Sequence, residues 1–113
     1  MSTVETGQRG EDAAVAFLKK RGYRIIVRNY RTRYGELDII ARHRKTLVFV
    51  EVKTRHGDEF GRPEEAVTPR KLATLERCAQ VYLLESRSSA DYRFEVVSVM
   101  LSPALSIELI PIE

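Results

Sequence analysis

Residues 48–55 read VFVEVKTR, an apolar run that ends with a carboxylate, Glu51, and an ammonium group, Lys53, two positions apart. In an extended strand alternate side chains share a face, so Leu47, Phe49, Glu51 and Lys53 point one way and Val48, Val50 and Val52 the other. Both faces are apolar until Glu51. That pattern suits a central strand covered on both sides, with its last residues leaving the core at a rim. Upstream, ELDIIAR carries Glu36 and Asp38. If the two segments form a hairpin closed by His43–Arg44 or by Arg42–Lys45, residues whose numbers sum to 87 pair. Asp38 then faces Phe49 diagonally from Glu51, and Glu36 stands directly opposite Glu51. Two carboxylates about 5 Å apart repel by roughly 3 kcal/mol at an effective dielectric near 20, and Lys53 only partly offsets a group of three. Oxygen-only ligands of this kind suit Mg²⁺ or Mn²⁺, which take one or two carboxylates and keep room for water and phosphate oxygens. An E-x-K pair alone reads better as an ion-pair cluster at the end of a sheet. Asp38, a helical glutamate and a basic block alongside bring the chemical reading level with it.

That block is compact. Residues 19–45 hold ten Lys or Arg against Glu36 and Asp38, a net of +8, whereas the rest of the chain has nine against fourteen, a net of −5. Arg28, Arg31, Arg33, Arg42, Arg44 and Lys45, with Arg55, Arg70 and Lys71 beyond, are candidates for contacting the phosphates of a nucleic acid, and the competing explanation is a solvated pair of Arg-rich strands. Tyr30, Tyr34 and Phe60 are candidates for stacking on bases or for packing. His56, near the rim, reads either as a proton-transfer group or as a solvated loop histidine.

The elements that must position these groups follow from periodicity. A helix over residues 7–21 carries Ala14, Phe17 and Leu18 on one face, ends in Lys19, Lys20 and Arg21, and is followed by Gly22. Glu11 shares the stripe of Ala14 and Leu18 and so belongs on or beside the face that meets the sheet. YRIIVRNY, ELDIIAR and TLVFVEVKT read as an antiparallel meander. A long connection, residues 55–67, precedes a second helix capped by Thr68 with Pro69 in its first turn and Leu72, Leu75, Ala79 and Tyr82 along one face. Cys78 in that helix reads as a small core residue. YRFEVVSVML is a fourth strand and SIELIPI a shorter fifth, which Pro111 makes an edge or a frayed end. The order α-β-β-β-α-β-β gives an α+β fold of α/β/α layers, with helices flanking a mixed central sheet in one domain spanning residues 1–113.

Composition excludes several classes. Apolar residues make up 43% and charged residues 31% of 113, which argues against wholesale disorder. No apolar run is long enough to span a bilayer and MSTVETGQRGED lacks the pattern of a secretory signal, so the expected setting is the cytoplasm, with no membrane partner. One cysteine cannot form an intramolecular disulfide, and with two histidines it makes no zinc spacing.

RGEDAAVAFLKKRGYRI, RNYRTRYGELDIIA, LVFVEVKTR, PEEAVTPRK and YRFEVV resemble the YraN-like family of small bacterial proteins, within the PD-(D/E)xK nuclease superfamily that includes archaeal Holliday junction resolvases. The likeness covers about residues 7–97. It implies a restriction-endonuclease-like core in which Asp38 of G-E-x-D and Glu51 of V-E-V-K bind a divalent metal, Mg²⁺ or Mn²⁺, together with the backbone carbonyl of Val52. Lys53 is then the catalytic lysine, and Glu11 of R-G-E completes the acidic site as a ligand directly or through water. The implied activity is endonucleolytic hydrolysis of DNA, with branched or junction DNA as a substrate class for which a homodimer would be needed to address two strands. The alternative is a catalytically inactive nucleic-acid-binding or protein-interaction module on the same fold. Two departures stand out: Glu95 replaces the aspartate usual in the family's R-F-D-V, and SIELIPIE replaces an aromatic ending, which bears on C-terminal packing or oligomer contacts.

Overall fold

The hydrophobic period switches between 3.6 and 2 along the chain, and the backbone follows. The computed structural model describes residues 3–57 and 67–112, which form α1 (Thr3–Lys20), β1 (Tyr23–Thr32), β2 (Gly35–His43), β3 (Thr46–Arg55), α2 (Pro69–Ser86), β4 (Tyr92–Met100) and β5 (Ser106–Ile112). Helix α1 starts four residues earlier than its apolar stripe suggests. Helix α2 starts where its cap predicts: the Thr68 hydroxyl accepts the Lys71 N–H at 3.1 Å and Pro69 occupies the first turn. Most of the 55–67 connection, with Phe60, lies outside the described residues. No helix among the described residues is long and apolar enough to cross a membrane.

One mixed sheet runs in the order β1-β2-β3-β4-β5, antiparallel except for the parallel pair β3–β4, which the α2 crossover joins. Helix α1 covers one face, where Ala14, Val15 and Leu18 pack on Ile39, Ala41, Val48, Val50, Val97 and Val99. Helix α2 covers the other, where Leu75, Cys78 and Ala79 pack on Leu37, Ile40, Leu47, Phe49 and Phe94. Each large side chain buried this fully contributes about 1.5–3 kcal/mol. The α/β/α layering expected of a restriction-endonuclease-like core is therefore present, with β3 central and Cys78 in the core. Pro111 lies on the edge strand β5 opposite Glu95, where a missing ladder donor is tolerated.

The β2–β3 register differs from the expected one by two residues. The turn is Arg44–Lys45, with Arg44 at φ 58°, and pairing runs from His43↔Thr46 to Ile39↔Val50, so paired numbers sum to 89. A slip of two keeps every side chain on its face, so apolar alternation could not choose between the registers. The consequence is local: Asp38 comes level with Glu51 instead of facing Phe49, and Glu36 lies beyond it instead of opposite Glu51.

Two irregularities shape the β1–β2 pair. An extra residue, Ile26, interrupts the ladder between Ile25↔Ala41 and Val27↔Ile40. Further on, Asn29 and Asp38 stand opposite one another between Arg28↔Ile39 and Tyr30↔Leu37, and the in–out alternation slips on both strands there. Leu37 and Ile40 both join the α2-side core although three residues apart, and Arg28 and Asn29 both reach Glu11 on α1. Asn29 takes φ 54°, a left-handed conformation that asparagine tolerates better than most residues.

Candidate active site

The acids meet where β2 and β3 stop pairing. Past Ile39↔Val50 the Asp38 side chain takes over the role of the ladder, its Oδ2 accepting the Val52 N–H at 2.8 Å. Burial pushes the Asp38 carboxyl up to about 7, the charge of Glu51 adds to this, the Val52 N–H works against it, and Glu11 and Glu36 add smaller increments. Glu51 is raised too, first by burial, with the Lys71 ammonium as the main opposing influence. Lys71 Nζ lies 3.4 Å from Glu51 Oε1, while Glu51 Oε2 is a buried atom with no hydrogen-bond partner among the described residues. A buried carboxylate oxygen left without a donor is costly, which marks the place where a cation or proton is wanted.

Glu11 is seated by a close helix–strand approach. A β-carbon on Gly10 would fall 1.8 Å from Thr54 Oγ1, so only glycine lets α1 come this near β3. Glu11 is 9% exposed; its Oε1 accepts from Arg28 Nε at 2.9 Å and from Asn29 Nδ2 at 3.1 Å. Arg28 also binds Asp12 Oδ1 at 2.6 Å, an exposed contact that holds the Asp12 carboxyl below its ordinary value. Lys53 is exposed and has no ion-pair partner among the described residues, although its charge is felt at Glu51.

The expected phosphate contacts divide into groups. Arg70 and Lys71 lie in the first turn of α2, at the positive end of its dipole, where cations are least welcome to the helix itself. Arg33 and Arg77 flank the ring of Tyr34, with guanidinium carbons 4.9 and 5.6 Å from its centroid, and Arg33 Nη2 donates to the Tyr34 hydroxyl at 2.7 Å. The Thr32 hydroxyl pins this turn by accepting the Tyr34 N–H at 3.0 Å and donating to the Gly35 carbonyl at 3.1 Å. Arg31 pairs with Glu36 at 3.4 Å. Arg44 and Lys45 are exposed at the distant β2–β3 turn, and Arg42 lies beside them. Arg28 is exposed but committed to Glu11 and Asp12, whereas Arg55 is buried at 6% exposure and does not join the exposed basic surface. Tyr30 is a packing residue: its hydroxyl donates to Glu85 at 2.5 Å, its ring meets Tyr82 edge-on, and burial with that bond raises it to about 12. His56 Nδ1 and Ser102 Oγ lie 3.2 Å apart, beside a shallow depression of about 480 Å³ that the acids do not line.

Sequence reasoning missed two participants. Asn29 holds Glu11, and its only signal is a residue tolerant of positive φ inside an otherwise β-rich run. Arg77 completes the Tyr34 cluster from α2 and has no sequence signal, because its position follows from the helix crossing.

Among the described residues no three His, Cys, Asp or Glu side chains form a ready cation cage. Two carboxylates with water and phosphate oxygens are nevertheless a sufficient donor set for Mg²⁺ or Mn²⁺. The orphaned Glu51 Oε2 beside Asp38 fits that chemistry.

Fold and site together define a small α+β protein whose sheet opens at one end onto a half-buried pair of acids. The chain belongs to the family described as "Uncharacterised protein family UPF0102", the YraN-like family, whose model matches residues 10–99. It is similar to UPF0102 proteins of Syntrophomonas wolfei (47% identical over 103 residues, 90% of each chain) and Syntrophus aciditrophicus (48% over 109 residues, 95% of this chain and 86% of the relative). A UPF0102 protein of Alkaliphilus oremlandii is 52% identical over 98 residues, 84% of each chain.

Proposed function

We propose that this chain is a Mg²⁺- or Mn²⁺-dependent endonuclease acting on DNA. The observation that carries the reading is the buried Glu51 Oε2, without a hydrogen-bond partner among the described residues, next to an Asp38 carboxyl forced up to about 7. Asp38, Glu51 and the Val52 carbonyl would hold the ion, which when bound supplies positive charge against a phosphate and acidifies water. Lys53, uncommitted and at the rim, orients the attacking water or offsets charge building on the phosphate. Lys71 draws Glu51 into place, and Arg70 beside it meets the substrate backbone. Glu11, held by Arg28 and Asn29, fixes the α1 side of the site and adjusts its charge. Arg33, Tyr34 and Arg77 offer a cationic, partly aromatic surface at the same end of the sheet.

A second reading is a nucleic-acid-binding module without catalysis, and the engagement of Glu11 by Arg28 and Asn29 favours it, because that acid is satisfied without a metal. Both readings predict binding that weakens with salt, by a log-log slope of about −0.9 per phosphate neutralised on duplex DNA. The discriminating experiment is cleavage of linear, flapped and four-way DNAs with Mg²⁺ or Mn²⁺ by wild type, Asp38→Ala and Lys53→Ala. Cleavage by wild type that Asp38→Ala abolishes supports the nuclease. Absence of cleavage on every substrate with binding intact would establish the second reading.

A further inference from the structure

Arg24 and Arg42 are direct partners across β1 and β2. Their neighbours Tyr23, Ile25 and Ala41 pack under α1, so both arginines lie on the α2 side of the sheet. Like charges directly opposite in a ladder, with β-carbons about 4.5–5.5 Å apart, destabilise it. Other arginines of these strands are answered by acids: Arg28 by Glu11 and Asp12, Arg31 by Glu36. Neither Arg24 nor Arg42 has an acidic partner among the described residues. Glu85, on the same turn of α2 as Tyr82, is taken by the Tyr30 hydroxyl.

A cavity of about 390 Å³ lies at this pair, lined by Arg24, Ile25, Ile26, Arg42 and Tyr82. Its walls have identifiable causes. Ile26 is the extra residue of the β1 bulge, where an edge strand bends locally. Tyr82 is held edge-on by Tyr30 and Phe49, with ring centroids 5.4 and 6.1 Å away. The concavity is thus preformed, with two guanidinium groups beside the Tyr82 ring and the Ile26 bulge.

The geometry points to a phosphate-binding pocket formed by Arg24 and Arg42 against Tyr82. A phosphate presents several anionic oxygens to two guanidinium forks at once, and its charge relieves the repulsion between them. Arg42 is four residues from Asp38 along β2, about 13 Å at the usual rise per residue. The pocket is therefore separate from the acids but on the face where Glu51 meets Lys71, suited to a second phosphate of a bound strand. Choosing a nucleic-acid backbone as the source rests on the proposed nuclease reading; the pocket itself does not.

The test uses the whole chain with EDTA present, so that failure of metal-dependent cleavage cannot be confused with failure of the pocket. Inorganic phosphate, a mononucleotide and a short DNA duplex are titrated into wild type and R24Q/R42Q. With inorganic phosphate at millimolar concentration, amide resonances of Ile25, Ile26 and Arg42 should shift in wild type and stay fixed in the variant. The salt slope for duplex binding should shrink by about 0.9 in the variant, the value for one phosphate neutralised. Phosphate shifts without a change in slope would support the pocket and identify its source as a free phosphate or nucleotide. No shifts and an unchanged slope would overturn it. At low salt the variant should melt no lower than wild type, because the arginines repel; a lower melting temperature would assign them to packing and also overturn the proposal.

Discussion

Glu51 and Glu95 occupy neighbouring strands, one step apart in register on opposite faces, and the fold treats them in opposite ways: Glu51 pairs with Val96, and Glu95 with Val50. Glu95, 5% exposed on the α1 side, accepts the Tyr23 hydroxyl at 2.7 Å and lies 3.4 Å from Arg93 Nε. Arg93 in turn reaches His43 Nδ1 at 3.1 Å, and His43 stacks on Tyr23 at 4.4 Å. Burial and the Glu95 contact push the Tyr23 hydroxyl's pKa up, so the proton stays on tyrosine. Among the described residues Glu51 has one cation on one oxygen and no hydrogen-bond partner on the other. A buried acid with its donors supplied is explained by the fold; one lacking a donor asks for something from outside.

The comparison breaks most sharply through activity. Asp38→Ala or Glu51→Ala should cost at least about a hundredfold in metal-dependent cleavage, whereas Glu95→Gln should cleave at close to the wild-type rate once folded. Kinetics on a single cleavable DNA check this, and equal losses for positions 51 and 95 would erase the distinction. Lys53→Ala should lower turnover with DNA affinity nearly unchanged, and equal losses in both would remove its assigned role.

Stability should show the reverse pattern. Glu95→Ala leaves the Tyr23 hydroxyl proton without its acceptor and should destabilise by about 1–3 kcal/mol in denaturant unfolding, although Arg93 keeps its contacts to the Tyr23 oxygen and to His43. Asp38→Asn should do the opposite in metal-free buffer. Asp38 is raised to about 7 in the folded state from an ordinary 3.8, so its protonated form favours folding. That contribution, roughly 4 kcal/mol at most, is complete below about pH 4 and is lost as pH rises to about 7. Melting followed from pH 4 to 8 with EDTA should therefore decline less in Asp38→Asn than in wild type, and Mg²⁺ should raise the wild-type melting temperature more at pH 8 than at pH 5. Parallel pH profiles for the two proteins would show that Asp38 is not under the pressure inferred.

The smallest effect belongs to the Tyr34 cluster. Tyr34→Ala should weaken binding to single-stranded DNA by about 1–3 kcal/mol, if its ring or the adjoining guanidinium groups carry a stacked base, and should leave duplex binding nearly unchanged. Fluorescence anisotropy with both oligonucleotides decides it.

Element types, their order, the central place of β3 and the inward face of Glu11 were legible in the sequence, because each rests on a period or a cap. The sequence places Asp38 and Glu51 as neighbours, but through a pairing two residues out of step with the observed one. Period-2 alternation is blind to such a slip, and the turn that settles it, Arg44–Lys45, lacks the Asn-Gly signature that would have announced it. The twist of two strands at Asn29 and Asp38 was illegible for a different reason: it depends on a cross-strand partner, which a single stretch of chain does not display. In sequence Lys71 has only the look of a phosphate contact, because its ion pair with Glu51 depends on how α2 returns over the sheet.

The matched slip on β1 and β2 constrains how the chain can change in length. A single residue inserted in either strand between the Arg33–Tyr34 turn and Asp38 would throw that strand out of phase with its neighbour and turn either Asn29 or Asp38 to the wrong face, so a compensating insertion across the ladder would have to accompany it. The Arg44–Lys45 turn at the other end of β2 is under no such obligation and can lengthen freely. Variation in size among sequences of this kind should accordingly gather at that second hairpin tip and spare the first.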